Sequence, residues 1–262
     1  MARFLEVGFL RRVFVVVTLC LLWQGYAYYL DNELLFPTLS STLTTLFDEV
    51  VSGTLLERVG NSMETLLIGY FTALVISFVI TTLAISNSLA REYLNTVTSI
   101  LNPLPAVALL PLALLWFGVG PGAILFVIVN SVLWPLSLNI LSGFNSVPMV
   151  LRMVGRNYSL KGLRYVLAIL IPAAFPSILA GLKISWAFAW RSLLAAELIF
   201  GVSSGNGGIG WYIFEKKNQL EISAVFAGLL AVIIIGLIME YFVFGLLEAL
   251  TVRRWGAVND KI

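Results

Sequence analysis

Histidine is absent from the 262 residues of this chain. That absence removes the commonest general base, the Ser-His pair and most transition-metal sites. The single cysteine, Cys20, lies inside an apolar run, so neither an intrachain disulfide nor a cysteine metal cluster can form. Charge is scarce: 11% of residues are Asp, Glu, Lys or Arg, where a soluble domain carries about a quarter. No G-x-x-x-x-G-K-[ST] run occurs, so the usual phosphate cradle for nucleotide hydrolysis is missing. Paired acids within the apolar runs are missing too, which argues against a membrane-embedded enzyme such as a lipid transferase. The net charge of +2 is too small to suggest a nucleic-acid partner.

What is present is apolar. Sixty per cent of residues are hydrophobic and the mean hydropathy is +0.97, so the chain reads as a polytopic membrane protein. A membrane helix needs about 20 mostly apolar residues. Six stretches qualify, at about 11–30, 62–86, 94–117, 122–143, 174–199 and 223–248. They are continuous runs, not the short alternating segments of a transmembrane β-barrel, so the fold class expected is all-α with six transmembrane helices. The first run, "VFVVVTLCLLWQGYAYYL", ends in aromatic residues and lacks a small-x-small cleavage site. It reads as an uncleaved helix with an aromatic belt.

Cations fix the expected orientation. With the N-terminus inside, eleven of sixteen Lys and Arg residues are cytoplasmic: Arg3, Arg11, Arg12, Arg91, Arg152, Arg156, Lys161, Arg164, Arg253, Arg254 and Lys261. Arg58, Lys216 and Lys217 fall outside, and Lys183 and Arg191 within a span. That bias predicts an N-in/C-in topology. The organisation expected is a tail and first helix (1–30), an outer amphipathic segment (31–61), a five-helix core (62–248) and a cytoplasmic tail (249–262). The outer segment, with Ser40 or Ser41 as a helix cap, either lies on the membrane surface or docks an extracytoplasmic partner. A glycine-rich outer loop, five glycines between 201 and 210, reads as a re-entrant gate or a partner contact.

Polar residues inside spans are costly and usually face a cavity or a partner. Lys183 is placed to snorkel to the inner interface. Arg191, beside Trp190, either faces a solute path or makes a structural ion pair. Six residues along a helix put Arg191 and Glu197 about 120° apart, against a direct pair within the helix. Glu197 adjoins Ala195 and Ala196 and suits helix packing or gating. Asn130 and Ser131 either line the path or bond between helices. Pro103, Pro105 and Pro111 break the third span, which is tolerated where freed carbonyls line a cavity or are buried in protein.

The segment at 145–165 is basic and too polar to span. Val147, Val150, Leu151 and Val154 recur at helical spacing, with Arg152 and Arg156 off that face. Pro148 suits a first turn, and Lys161-Gly162 a helix end. Pro172 and Pro176 then interrupt the entry to the fifth span. The expectation is a short cytoplasmic helix joined through a proline elbow to a membrane helix, able either to carry movement from a cytosolic partner or simply to touch anionic lipid.

This segment resembles the "EAA" loop of permease subunits of binding-protein-dependent ABC importers. "SLKGLRYVLAILIP" places Ile169, Leu170, Ile171 and Pro172 where that loop has its Ile-x-Leu-Pro end. Met153-Val154-Gly155 replaces the Glu-Ala-Ala, and Ser159 the following Gly. "NPLPAVALLPLALLWFGVG" (102–120) and "AWRSLLAAELIFGVSSGNGGIGWYI" (189–213) are similar to the third- and fifth-span signatures of the nitrate/sulfonate/taurine/bicarbonate branch. "FAGLLAVIIIGLIMEYFV" continues the likeness, which covers residues about 35 to 255. The resemblance implies a type I importer-like permease in the bacterial cytoplasmic (inner) membrane, pairing with a second copy. It implies two ATPase subunits carrying ATP and Mg, and an extracytoplasmic solute-binding protein. Val150, Leu151, Arg152, Val154, Gly155, Arg156, Tyr158, Ser159 and Lys161 would meet the ATPase, and neither cofactor nor metal would sit on this chain. The expected solute is a small anion such as a sulfonate, nitrate, bicarbonate or an organic or aromatic acid. A secondary transporter or channel is the alternative, though no inverted repeat is visible.

Overall fold

The computed structural model describes residues 2–200 and 207–253, and every regular element among them is helical. Gly201 and Gly205 of the glycine loop, and Arg254 and Lys261 of the tail, lie outside the described residues. The helices are α1 (Ala2–Leu30), α2 (Leu39–Val51), α3 (Thr54–Ser86), α4 (Ser88–Leu101), α5 (Leu110–Phe117), α6 (Pro121–Asn145) and α7 (Met149–Asn157). They continue with α8 (Gly162–Tyr165), α9 (Ile171–Phe200), α10 (Ile209–Asn218), α11 (Ile222–Ile238) and α12 (Gly245–Glu248).

Three helices make the centre. Glycines let their backbones approach: a Cβ at Gly69 on α3 would stand 2.7 Å from Ile128 on α6. One at Gly181 on α9 would stand 2.6 Å from Asn139 on α6, and one at Gly143 2.7 Å from Ser177. Small residues at crossings are how helices pack where lipid supplies no hydrophobic drive. Leu66, Val127, Ile128, Val132, Leu136, Ile140 and Leu193 are fully enclosed between these helices.

The same contacts fix direction. Gly69 meets Ile128, and Ser77 Oγ donates to Leu133 O at 3.3 Å, so α3 and α6 run parallel. Gly143 meets Ser177 and Gly181 meets Asn139, so α9 runs antiparallel to both. The chain between α3 and α6 must therefore return across the layer. It does so as a bent pair, Ser88–Leu101 and Ala106–Phe117, at 88° to each other. With Leu10–Leu30, Thr54–Ile85, Pro121–Asn145, Gly162–Phe200 and Ile222–Val252, this makes six crossings. The third begins at Ser88 instead of residue 94 and is two half-spans. Pro103 and Pro105 each lack an N–H, and Pro105 is extended (φ −62°, ψ 121°) ahead of a 3₁₀ turn at Ala106–Leu109.

Other boundaries move for physical reasons. The cap of α2 is Thr38, whose Oγ1 accepts the Ser41 N–H at 3.1 Å, so neither Ser40 nor Ser41 is the cap. α3 starts at Thr54, inside the amphipathic segment expected at 31–61, so that segment holds α2 and the first turns of the second span. The elbow at Pro172 and Pro176 is no break: Gly162–Phe200 is one helical run. A π-turn at Val166–Leu170 precedes Pro172, and Pro176 sits inside α9. A wide turn shifts the hydrogen-bond register where a proline cannot donate.

Two faces result. One carries α2, α10 and the end of α1: Gln24 Oε1 accepts the Leu39 N–H at 2.9 Å and Trp23 packs edge-on to Phe226. The other carries α7. Between Leu10 and the end that meets α2, α1 stands almost wholly exposed.

Candidate functional site

The break in the third span opens a chamber of about 280 Å³ against α6 and α9. Its walls are the Asn102–Pro105 turn, Asn130, Ser131 and Trp134 of α6, and Phe188 and Ser192 of α9. Asn130 is nine residues from the start of α6 and Ser192 eight from the end of α9. At 1.5 Å per residue both lie about 13 Å below the same helix ends, near mid-depth of a hydrocarbon core about 30 Å thick. Ser131 Oγ is committed to Ile128 O at 2.7 Å. Trp134 Nε1 is buried with no partner.

Arg191 is close to this chamber without lining it. Its side chain is exposed, Nε donates to Ala187 O at 3.0 Å, and the guanidinium sits 5.2 Å from the centroid of Phe188, which does form a wall. Among the described residues it makes no salt bridge. Trp190 turns the other way, buried, its Nε1 unpartnered.

Glu197 ties together the end of the bundle that carries α2 and α10. It is 4% exposed. Ser62 Oγ on α3 donates to its carboxylate, at 2.7 and 2.9 Å from the two oxygens, and the Gly210 N–H donates to Oε2 at 2.8 Å. The Ile209 N–H donates to Ser62 Oγ at 2.9 Å. A Cβ at Gly208 would fall 2.1 Å from Glu197 Oε1, and one at Gly210 2.7 Å from Leu194 O. The described glycines of the glycine-rich loop are thus spacing elements that let the backbone reach a buried acid.

On the opposite face, α7 is held by two devices. Arg152 Nη2 donates to Phe144 O at 2.6 Å and Nε to Val147 O at 3.1 Å, so it caps the C-terminus of α6. Gly155 is buried, and a Cβ there would stand 2.7 Å from the Tyr165 ring. Val147 is buried, but Val150 (70% exposed), Met149, Met153 and Tyr158 (77%) face outward. Of the apolar stripe Val147, Val150, Leu151 and Val154, only Val147 is buried and the other three are exposed, while Gly155 makes the close contact with the helix that follows. Arg156 and Lys161 are exposed, and Ser159 takes a left-handed φ of 55° in the turn after the helix. Lys183, expected to snorkel, is paired with Glu248 at 2.8 Å and Glu240 at 3.9 Å from the last span.

A bent third span, a mid-depth chamber and a basic helix projecting from one face form the frame for comparison with known proteins. Residues 66–252 match the family described as the binding-protein-dependent transport system inner membrane component. The chain belongs to that family. A nitrate import permease of Synechocystis sp. is 31% identical over 73% of this chain and 68% of its own. A Methanocaldococcus jannaschii protein, provisionally named an ABC transporter permease, is 27% identical over 84% and 82%. The taurine transport system permease of Escherichia coli is 24% identical over 90% and 86%.

In this inner membrane permease component, Asn130 and Ser131 meet at the chamber, whereas Arg191, Trp190 and Glu197 each point elsewhere. Trp134, Phe188 and Ser192 also line the chamber; neutral residues in an apolar run carry no local signal of such a role. Pro135, one residue after Trp134, was the available hint, since it loosens α6 beside the chamber.

Proposed function

We propose that this permease, paired with a second copy, forms the membrane path of an ATP-driven importer of small anions, with α7 seated in an ATPase subunit. The positive-inside bias puts α7 and both chain ends in the cytoplasm. ATP and Mg belong to the two partner ATPases, and a solute-binding protein docks on the face of α2 and α10. The observation that carries the reading is α7: a nine-residue helix, fastened through Arg152 and Gly155, that presents Met149, Val150, Met153 and Tyr158 beside Arg156, Lys161 and Arg164. An exposed apolar surface ringed by one sign of charge suits a protein cleft. Solute class follows from the nitrate and taurine permeases, whose named solutes both bear an oxyanion group, and from Arg191 beside the chamber. The path residues proposed are Asn130, Ser131, Trp190, Arg191 and, as a gate at the outer end, Glu197.

The test is reconstitution of the permease with a candidate ATPase and a candidate solute-binding protein from the same organism. Uptake into sealed vesicles should require ATP, and Met153→Glu should abolish copurification of the ATPase. Uptake driven by an ion gradient without nucleotide, or ATPase retention by Met153→Glu at raised salt, would overturn the reading.

A further inference from the structure

We infer that α2 binds lipid: it lies in the headgroup–acyl boundary of the leaflet on its own side of the bundle, with Leu43, Phe47, Val50 and Val51 against acyl chains. The surface of α2 divides into three sectors. One packs on the protein: Thr42 is fully enclosed, Leu46 packs against the core, and Glu49 lies 3.5 Å from Lys216. The second is apolar and uncovered, with Phe47 67% and Val51 69% exposed. Together with Leu43 and Val50 they span about 100° of the helix circumference. The third is polar, with Thr44 and Asp48 exposed. A helix surrounded by water has no use for the second sector, and one surrounded by lipid none for the third. A helix lying in the interface uses both.

Two further observations set the depth. The start of α2 is fastened to the first span, where Gln24 Oε1 accepts the Leu39 N–H at 2.9 Å and Trp23 Nε1 donates to Pro37 O at 3.0 Å. Gln24 is 14 residues into the Leu10–Leu30 span, about 21 Å along it and short of the far edge of a core about 30 Å thick. The polar groups at that end are also satisfied without water, as lipid requires. Gln24 Oε1 accepts the Ser40 N–H as well, at 3.4 Å, and Thr38 Oγ1 accepts that of Ser41 at 3.1 Å. The Thr42 and Thr45 hydroxyls turn back to Thr38 O and Ser41 O, each at 2.9 Å, and Thr44 also donates to Ser41 O at 2.9 Å. A soluble partner does not reach that depth. A second copy would meet only bulky side chains along the stripe, whereas the crossings inside this bundle are made at Gly69, Gly143 and Gly181. Acyl chains conform to a bulky stripe.

The experiment uses the full chain in vesicles of phosphatidylethanolamine and phosphatidylglycerol. Cys20 is the single cysteine, so a Cys20→Ala background accepts one nitroxide label at Phe47→Cys or at Asp48→Cys. Power-saturation electron paramagnetic resonance then compares collisions with oxygen, which partitions into lipid, and with nickel ethylenediaminediacetate, which stays in water. The Phe47→Cys label should lie about 5–10 Å below the headgroup boundary, and the Asp48→Cys label at or above it. Leu43→Cys and Val51→Cys sample the same stripe, so the reading survives if one variant fails to fold. Stripe labels that meet the nickel complex as freely as the Asp48→Cys label overturn the proposal, since the stripe then faces water. Stripe labels shielded from both reagents overturn it too, since protein then covers them. Neither ATPase nor solute takes part, so this result and the reconstitution test can fail separately.

Discussion

At the scale of single residues, the most constrained point is the contact of Glu197 with Gly208 and Gly210 of the glycine-rich loop. The carboxylate accepts from Ser62 and from Gly210, and Gly208 leaves no room for a methyl group. Gly208→Ala should therefore lower stability by about 1–3 kcal/mol through overpacking against a buried acid, read as a lower thermal midpoint in detergent. Gly60→Ala is the control: nothing lies within 4 Å of a Cβ there and the residue is helical, so the midpoint should hold or rise slightly. An equal fall in both variants would mean that the Gly208 contact is not the cause. The carboxyl is also the residue whose sequence neighbours say least. Ser62 is 135 positions away, and the alanines beside Glu197 suggested packing without naming the partner.

At the scale of elements, α7 divides its cations between two tasks. Arg152 is spent on the carbonyls that end α6, while Arg156 is exposed. Arg152→Ala should destabilise the permease alone by about 1–2 kcal/mol, since it uncaps a helix. Arg156→Ala should leave that stability within about 0.5 kcal/mol, as at an ordinary surface site, and weaken ATPase association. Thermal unfolding and copurification separate the two effects. Matched losses of stability in both variants would contradict the division. Helical spacing alone could not assign these tasks, because the packed face is set by Gly155 against Tyr165, a contact across the turn that begins at Tyr158. The third span teaches a related lesson. Its prolines announced a break in the sequence, but the 88° angle and the chamber behind it depend on α6 and α9.

At the scale of the whole molecule, α2, the start of α3, α10 and the start of α11 are clasped on one face by charge. Lys216 reaches Glu221 at 2.6 Å and Glu49 at 3.5 Å, and Arg58 reaches Glu215 at 3.3 Å. Burial pushes the Tyr212 phenol above its ordinary value of 10.0, and Glu49 adds to the rise. Burial alone would lower the Lys216 ammonium, but the bonds and charges of Glu221 and Glu49 outweigh it and raise it. Both groups hold their protons more tightly when folded than unfolded. Their contribution is fully present below the unfolded values and is lost as pH rises through the folded ones. The thermal midpoint should accordingly fall from about pH 9 to pH 11, and the fall should be shallower in Tyr212→Phe, which cannot ionise. A profile of equal steepness in that variant would remove Tyr212 from the account.

The sequence by itself determined the solvent, the element type and the family. These follow from consecutive residues: twenty apolar positions must satisfy their own backbone in lipid, and only helices do so locally. Cations counted along the chain gave an expected orientation for the same reason, needing no contacts. The tertiary structure alone decided that Lys183 is paired and not snorkelling, that Arg152 faces inward, and that Trp134 and Ser192 share a chamber with Asn130. Each of these is a meeting of side chains from different parts of the chain. A tryptophan or serine in an apolar run looks the same whether it faces lipid, a neighbouring helix or a cavity, until the helix crossings set by Gly69, Gly143 and Gly181 fix which way it points.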